Sequence, residues 1–113
     1  MTSWRTLVGS VALVAAGAVG VGACSSSDEP AAPSDPVLAE GQTVYNQNCA
    51  SCHGRSGNGG LGPKLSNRVA DAYPNIDDQI AVIDNGRGSM PKFEGRLTPE
   101  QVEAVARYTR ESL

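Results

Sequence analysis

Apolar residues crowd the start of the chain, give way to a short polar stretch, and then return at helical spacing. Leu7 to Val21 is apolar and rich in Ala, Val and Gly, whereas Ser25 to Asp35 is polar, proline-bearing and aperiodic. The second kind of stretch predicts a flexible linker. From Pro36 the pattern changes. Asp35 can cap a helix whose first turn holds Pro36, a position where the missing N–H costs nothing. Val37, Gly41, Val44 and Tyr45 fall at i, i+4, i+7 and i+8, which predicts a helix over 36–48 with one apolar face. Gly41 in its interior is unfavourable by roughly 1 kcal/mol against Ala. Close approach of another helix is a reason to keep it.

Gly54 to Leu65 is a glycine-rich loop. As a phosphate cradle it fails, having neither a preceding strand nor a Gly-Lys-Ser/Thr sequence. Its glycines suit a backbone that wraps closely around a flat ligand. Leu61 and Leu65 then pack on that ligand, or are simply core leucines. A short helix is expected over 66–72, ended by Tyr73-Pro74. Asn75 opens another, with Asp77 and Asp78 in a first turn whose dipole favours negative charge. Ile76, Ile80 and Ile83 form its apolar stripe, and Asn85-Gly86 ends it. Thr98-Pro99-Glu100-Gln101 is a capping box with proline at the first helical position. The helix it starts carries Val102, Val105, Ala106 and Thr109 on one stripe with Tyr108 beside it. Its alanine and valine side chains are small enough to cross closely over Gly41.

Charge and composition narrow the picture. The net charge is −3 and no basic stripe is present, so nucleic-acid binding has no electrostatic support. Aromatics make up 4 % of the chain, and its one tryptophan, Trp4, falls in the leader. A chain of 113 residues holds one small domain at most, and such a domain needs a staple to complete its core.

The first residues have the layout of a secretory signal. Arg5 supplies a positive charge, the apolar stretch follows, and Val21-Gly22-Ala23 gives small residues ahead of Cys24. The stretch is short and glycine-diluted for a spanning helix, and Arg5 stands alone, without a twin arginine. Val21-Gly22-Ala23-Cys24 also resembles the lipobox of bacterial lipoproteins, which implies a lipidated Cys24. Ordinary cleavage at the same bond would leave a free thiol, a liability in an oxidising compartment, and lipidation is the favoured reading. The expected organisation is a signal peptide over 1–23, a lipidated Cys and linker over 24–35, and one domain over 36–113. The leash reaches on the order of 30 Å when extended. It holds the domain at the extracytoplasmic side of a membrane.

Cys49-Ala50-Ser51-Cys52-His53 carries the chemistry. C-x-x-C-H is the attachment signature of c-type haem. On a helix Cys49 and Cys52 are i and i+3 and His53 is i+4, so all three point to one side. The thiols can then form thioethers with the haem vinyl groups while the imidazole reaches the iron. A thioredoxin-type pair is expected inside a βαβ pattern, which this chain lacks. A zinc site wants four ligands, and only these three cluster. His53 is the only histidine, and beyond the leader the only methionine is Met90, within Gly86-Arg87-Gly88-Ser89-Met90-Pro91. Buried packing is the usual fate of methionine. A Met/His axial pair is, however, the arrangement of electron-transferring cytochromes c, and Met90 is assigned as the sixth ligand.

Residues 36–113 resemble class I monohaem cytochromes c of the short bacterial and algal type. The resemblance rests on Gly41 and Tyr45, Cys49 to Gly54, Gly62-Pro63 with Leu65, Ile83 to Pro91, and Leu97 to Gln101. It implies an all-α cytochrome c fold, with helices wrapped around one haem held covalently by Cys49 and Cys52. It implies that the first and last helices cross at Gly41 and Tyr108. The Pro63 carbonyl is implied to accept a hydrogen bond from the His53 nitrogen facing away from iron. The function implied is a monomeric one-electron carrier and not an enzyme, with His53 and Met90 filling the axial positions. A terminal oxidase, a cytochrome bc-type complex or a dehydrogenase is the expected partner. A haem-bearing subunit of a larger oxidoreductase is the next reading. A haem peroxidase or gas sensor with an open sixth site comes last, with Arg87 as its only nearby distal candidate.

Overall fold

The computed structural model describes residues 30–113. The signal segment over 1–23, Cys24 and the first linker residues lie outside the described residues. Among the described residues the chain forms α1 (Pro36–Asn48), α2 (Ala50–His53), α3 (Val69–Ala72), α4 (Ile76–Asn85) and α5 (Pro99–Glu111). There is no sheet among them; isolated backbone pairings join Arg87 to Met90 and Glu94 to Leu97. The architecture is all-α, as expected.

The helix ends follow from local chemistry. Asp35 Oδ1 accepts from the N–H groups of Val37 at 2.8 Å and Leu38 at 3.4 Å, filling two of the donors that a helix start leaves unpaired. Asn75 does the same for α4, accepting from the Asp77 N–H at 3.1 Å. At α5 the capping box is closed in both directions, with Gln101 N–H donating to Thr98 Oγ1 and Thr98 N–H donating to Gln101 Oε1. Asn85 ends α4 against Gly86, whose φ of 72° suits glycine.

The crossing of α1 and α5 is the largest helix contact and the centre of the core. A Cβ at Gly41 would run into the carbonyl of Ala104 and lie 2.7 Å from Tyr108 Cβ. Only a residue without a side chain lets the two backbones meet there. Val44, Tyr45, Ile83, Phe93, Val102, Val105, Ala106 and Tyr108 form the buried cluster around this crossing. The Tyr45 and Tyr108 rings sit 5.6 Å apart at 52°, a tilted aromatic pair. The predicted stripe of α5 is buried throughout, from Val102 to Thr109.

Two local features depart from the sequence reading. Val37, expected on the apolar face of α1, is 42 % exposed. It lies one turn ahead of the crossing at Gly41. Gln42 is buried instead, and its Nε2 donates to the Pro30 carbonyl at 2.6 Å. The end of the linker is therefore fastened to α1. The first helix ends at Asn48, as expected, and the C-x-x-C-H motif follows it. Cys49, with φ −118° and ψ −37°, is a joint between α1 and the single turn of α2.

Candidate functional site

Cys49 stays tied to α1 by donating its N–H to the Tyr45 carbonyl at 2.8 Å, and its own carbonyl accepts from Cys52 and His53. One residue thus closes one helix and opens the next. Both thiols are free and half-buried. Burial pushes the Cys49 thiol up to about 11, with the neighbouring Cys52 adding to the shift.

His53 is buried at 7 % exposure. Its Nδ1 lies 2.8 Å from the Pro63 carbonyl, which can only accept, so Nδ1 is the donor, and in the neutral ring this tautomer leaves the lone pair on Nε2. The glycine loop makes this contact by folding back on α2. Gly62 N–H donates to the Cys52 carbonyl at 2.8 Å, and Gly59 N–H donates to the His53 carbonyl at 2.8 Å. Gly62 packs directly on the ring: a Cβ there would be 2.7 Å from His53 Cε1 and 2.9 Å from Nδ1. The Tyr45 hydroxyl holds the start of the loop by donating to the Gly54 carbonyl at 2.6 Å. Burial, with Cys49 nearby, raises the pKa of that phenol, so it stays a donor across the ordinary pH range.

Leu65 is half-buried and packs against the core cluster, as do Cys49, Ala50 and Met90. Leu61 is no core leucine, being 90 % exposed. It sits at the tip of the loop, where the chain turns to bring Gly62 onto His53. Met90 is half-buried in the loop between α4 and α5. A closed turn presents it: Arg87 N–H donates to the Met90 carbonyl at 3.1 Å, and Met90 N–H donates to the Arg87 carbonyl at 3.0 Å. Gly86 lies beneath, where a Cβ would be 2.6 Å from the Met90 carbonyl oxygen and 2.8 Å from the Lys92 nitrogen.

The donor set fits haem and not a compact metal site. Among the described residues no group of three or more His, Cys, Asp or Glu converges as ion ligands. Cys49, Cys52 and His53 are adjacent in the chain without sharing one point, which suits two thioether bonds and a separate axial imidazole. Residues 36–108 match the family described as cytochrome C oxidase, cbb3-type, subunit III. The chain belongs to the cytochrome c family. It is 38 % identical over 73 residues to cytochrome c6 of Leptolyngbya boryana, covering 62 % of this chain and 86 % of that protein. It is 36 % identical over 76 residues to cytochrome c6 of Chlorolobion braunii, covering 63 % and 85 %. Among solved structures, cytochrome c6 of the diatom Phaeodactylum tricornutum superposes with a TM-score of 0.58 at 31 % identity, covering 66 % of this chain and 92 % of that one. This cytochrome c binds haem c covalently through Cys49 and Cys52 and is an electron-transfer protein, not an enzyme.

Periodicity did not reveal the polar ties around this cytochrome's site. Gln79 is buried at 6 % exposure and donates to Thr109 Oγ1 at 2.7 Å and to the Ala106 carbonyl at 3.3 Å. Arg110 Nη1 donates to the Tyr73 carbonyl at 2.7 Å and to Gln79 Oε1 at 3.3 Å. Arg87 Nη1 donates to the Tyr73 hydroxyl at 2.9 Å. A glutamine among isoleucines on α4 was the one visible signal.

Proposed function

We propose that this cytochrome is a one-electron carrier with His53 and Met90 as axial ligands. It works between respiratory-chain partners at the outer face of the cytoplasmic membrane, held there by lipid on Cys24. The observation that carries the axial reading is the His53–Pro63 contact at 2.8 Å, which fixes the tautomer and aims Nε2 away from the loop. A half-buried Met90 against the same core as Cys49 and Leu65 supports it as the second ligand. When bound, haem c supplies a one-electron couple between ferric and ferrous iron. The chain's residues do the rest: Cys49 and Cys52 fasten the group, Pro63 orients His53, and the apolar cluster excludes water. A thioether ligand and an apolar surround both favour the less charged ferrous state. A terminal oxidase, a cytochrome bc-type complex or a dehydrogenase fits as partner, docking through a small and short-lived interface.

The visible spectrum of the holoprotein tests this reading, oxidised and reduced, with and without carbon monoxide. A low-spin reduced spectrum indifferent to carbon monoxide, with the weak far-red band of iron–thioether bonding, is expected. In Met90→Ala the band disappears and carbon monoxide binds. A wild-type spectrum that is high-spin and shifts with carbon monoxide would overturn the His/Met assignment.

A second reading has its own support. The matching family is described as an oxidase subunit, so this cytochrome can instead serve as a haem-bearing subunit of a larger oxidoreductase. Mild solubilisation followed by size separation distinguishes them: a free carrier migrates near its own mass, a subunit with its complex.

A further inference from the structure

Met90 stands on a loop whose tip has little packing to hold it. Ser89 is exposed, and nothing lies within 4 Å of where a Cβ on Gly88 would be. On the far side of Met90 the chain is secured, because Phe93 is buried and its N–H donates to the Ile83 carbonyl at 3.1 Å. On the near side the tie is a side chain. Arg87 pairs with Met90 through both backbone hydrogen bonds of the closed turn, and its guanidinium donates to the Tyr73 hydroxyl at 2.9 Å. Tyr73 is itself fixed, since Arg110 of α5 donates to its carbonyl at 2.7 Å and to that of Pro74 at 3.3 Å. Arg110 in turn meets Gln79, which is buried and bonded to Thr109. A continuous path of hydrogen bonds therefore runs from the core of α5 to the backbone of Met90.

We propose that Tyr73 is a positioning residue for the sixth ligand, holding the Met90 turn in place through its hydroxyl contact with Arg87. The proposal rests on the reading of Met90 as an axial ligand. Tyr73 touches neither Met90 nor the attachment motif by hydrogen bond, and acts through Arg87. A charge-assisted bond is stronger than a neutral one and directional. Here it restrains a turn whose tip, Gly88 and Ser89, has little packing of its own. Its loss would leave the helices intact while letting Met90 move off and return more often, because the bond joins a loop to a helix connection and no core side chain depends on it.

Imidazole titration of the ferric holoprotein tests this, comparing wild type, Tyr73→Phe, Arg87→Leu, the double variant and Met90→Ala. Imidazole takes the sixth position only when Met90 has left, so its apparent affinity reports how firmly the turn is held. Tyr73→Phe keeps the ring and the carbonyl that Arg110 grips, and removes only the hydroxyl. Each single variant is expected to bind imidazole about fivefold more tightly, the effect of one lost hydrogen bond. The double variant should gain no more than either single one, and Arg87→Lys should recover part of the loss. The urea midpoint should stay near wild type in all of them. Unchanged imidazole affinity in Tyr73→Phe, or additive effects in the double variant, overturns the proposal. If Met90→Ala binds imidazole no more tightly than wild type, the axial reading itself has failed. That result is separable from a failure confined to Tyr73.

Discussion

Two effects of opposite sign meet at Gly41. In an open helix, replacing glycine by alanine stabilises by roughly 1 kcal/mol, because less chain entropy is lost on folding. Here the new methyl would run into the Ala104 carbonyl and stand 2.7 Å from Tyr108 Cβ. Neither neighbour is the free end of a flexible side chain, so the helices must separate. Overpacking of that kind costs about 1–3 kcal/mol and outweighs the gain. Gly41→Ala is expected to lower the holoprotein's stability by about 2 kcal/mol, read from urea unfolding followed by far-ultraviolet circular dichroism. A rise in stability would show that α1 and α5 can part without loss. Gly62 sets a similar limit against the His53 ring, 2.7 Å from a would-be Cβ. Both glycines were visible in the sequence, and the family resemblance paired Gly41 with Tyr108, but the ring that Gly62 admits was not visible. A missing side chain says that something approaches closely without saying what.

Helix ends were the most legible elements. Asp35, Asn75 and Thr98 each cap the helix that their position announced, because a cap depends only on neighbouring backbone. Asp35 also carries a pH dependence. Its carboxyl lies below the ordinary 3.8, chiefly through the Val37 N–H, with Leu38 and the Arg107 guanidinium helping against partial desolvation. A carboxyl depressed in the folded state adds stability that is fully present above its unfolded pKa and is lost as pH falls through the folded value. The wild type should therefore exceed Asp35→Asn in urea midpoint at neutral pH. The difference should close in acid, as pH drops below about 4. A gap that persists in acid would mean that charge on Asp35 contributes nothing. The end of α1 at Asn48 was legible as well, and so was the motif after it; what the sequence did not show is that Cys49 alone closes α1 and opens α2.

For the whole molecule, the attachment of domain to membrane is open to direct measurement. The proposed anchor predicts that wild type sediments with membranes, while Cys24→Ser appears in the soluble extracytoplasmic fraction with its haem spectrum unchanged. Equal membrane retention of both proteins would rule out lipid on Cys24 as the anchor. Gln42 holds Pro30, so the chain is fastened to the domain before α1 begins. The sequence by itself determined the helices, the covalent haem motif and the family, because helical period, capping and C-x-x-C-H spacing are local properties of the chain. The family resemblance already carried the Gly41–Tyr108 crossing and the Pro63–His53 contact, and the structure has both. Tertiary structure alone decided that Gly62 packs on the His53 ring, that Gln79 reaches Thr109, and that Tyr73 reaches Arg87. These contacts join residues far apart in the chain, and no local pattern encodes which distant groups a folded backbone brings within hydrogen-bonding reach.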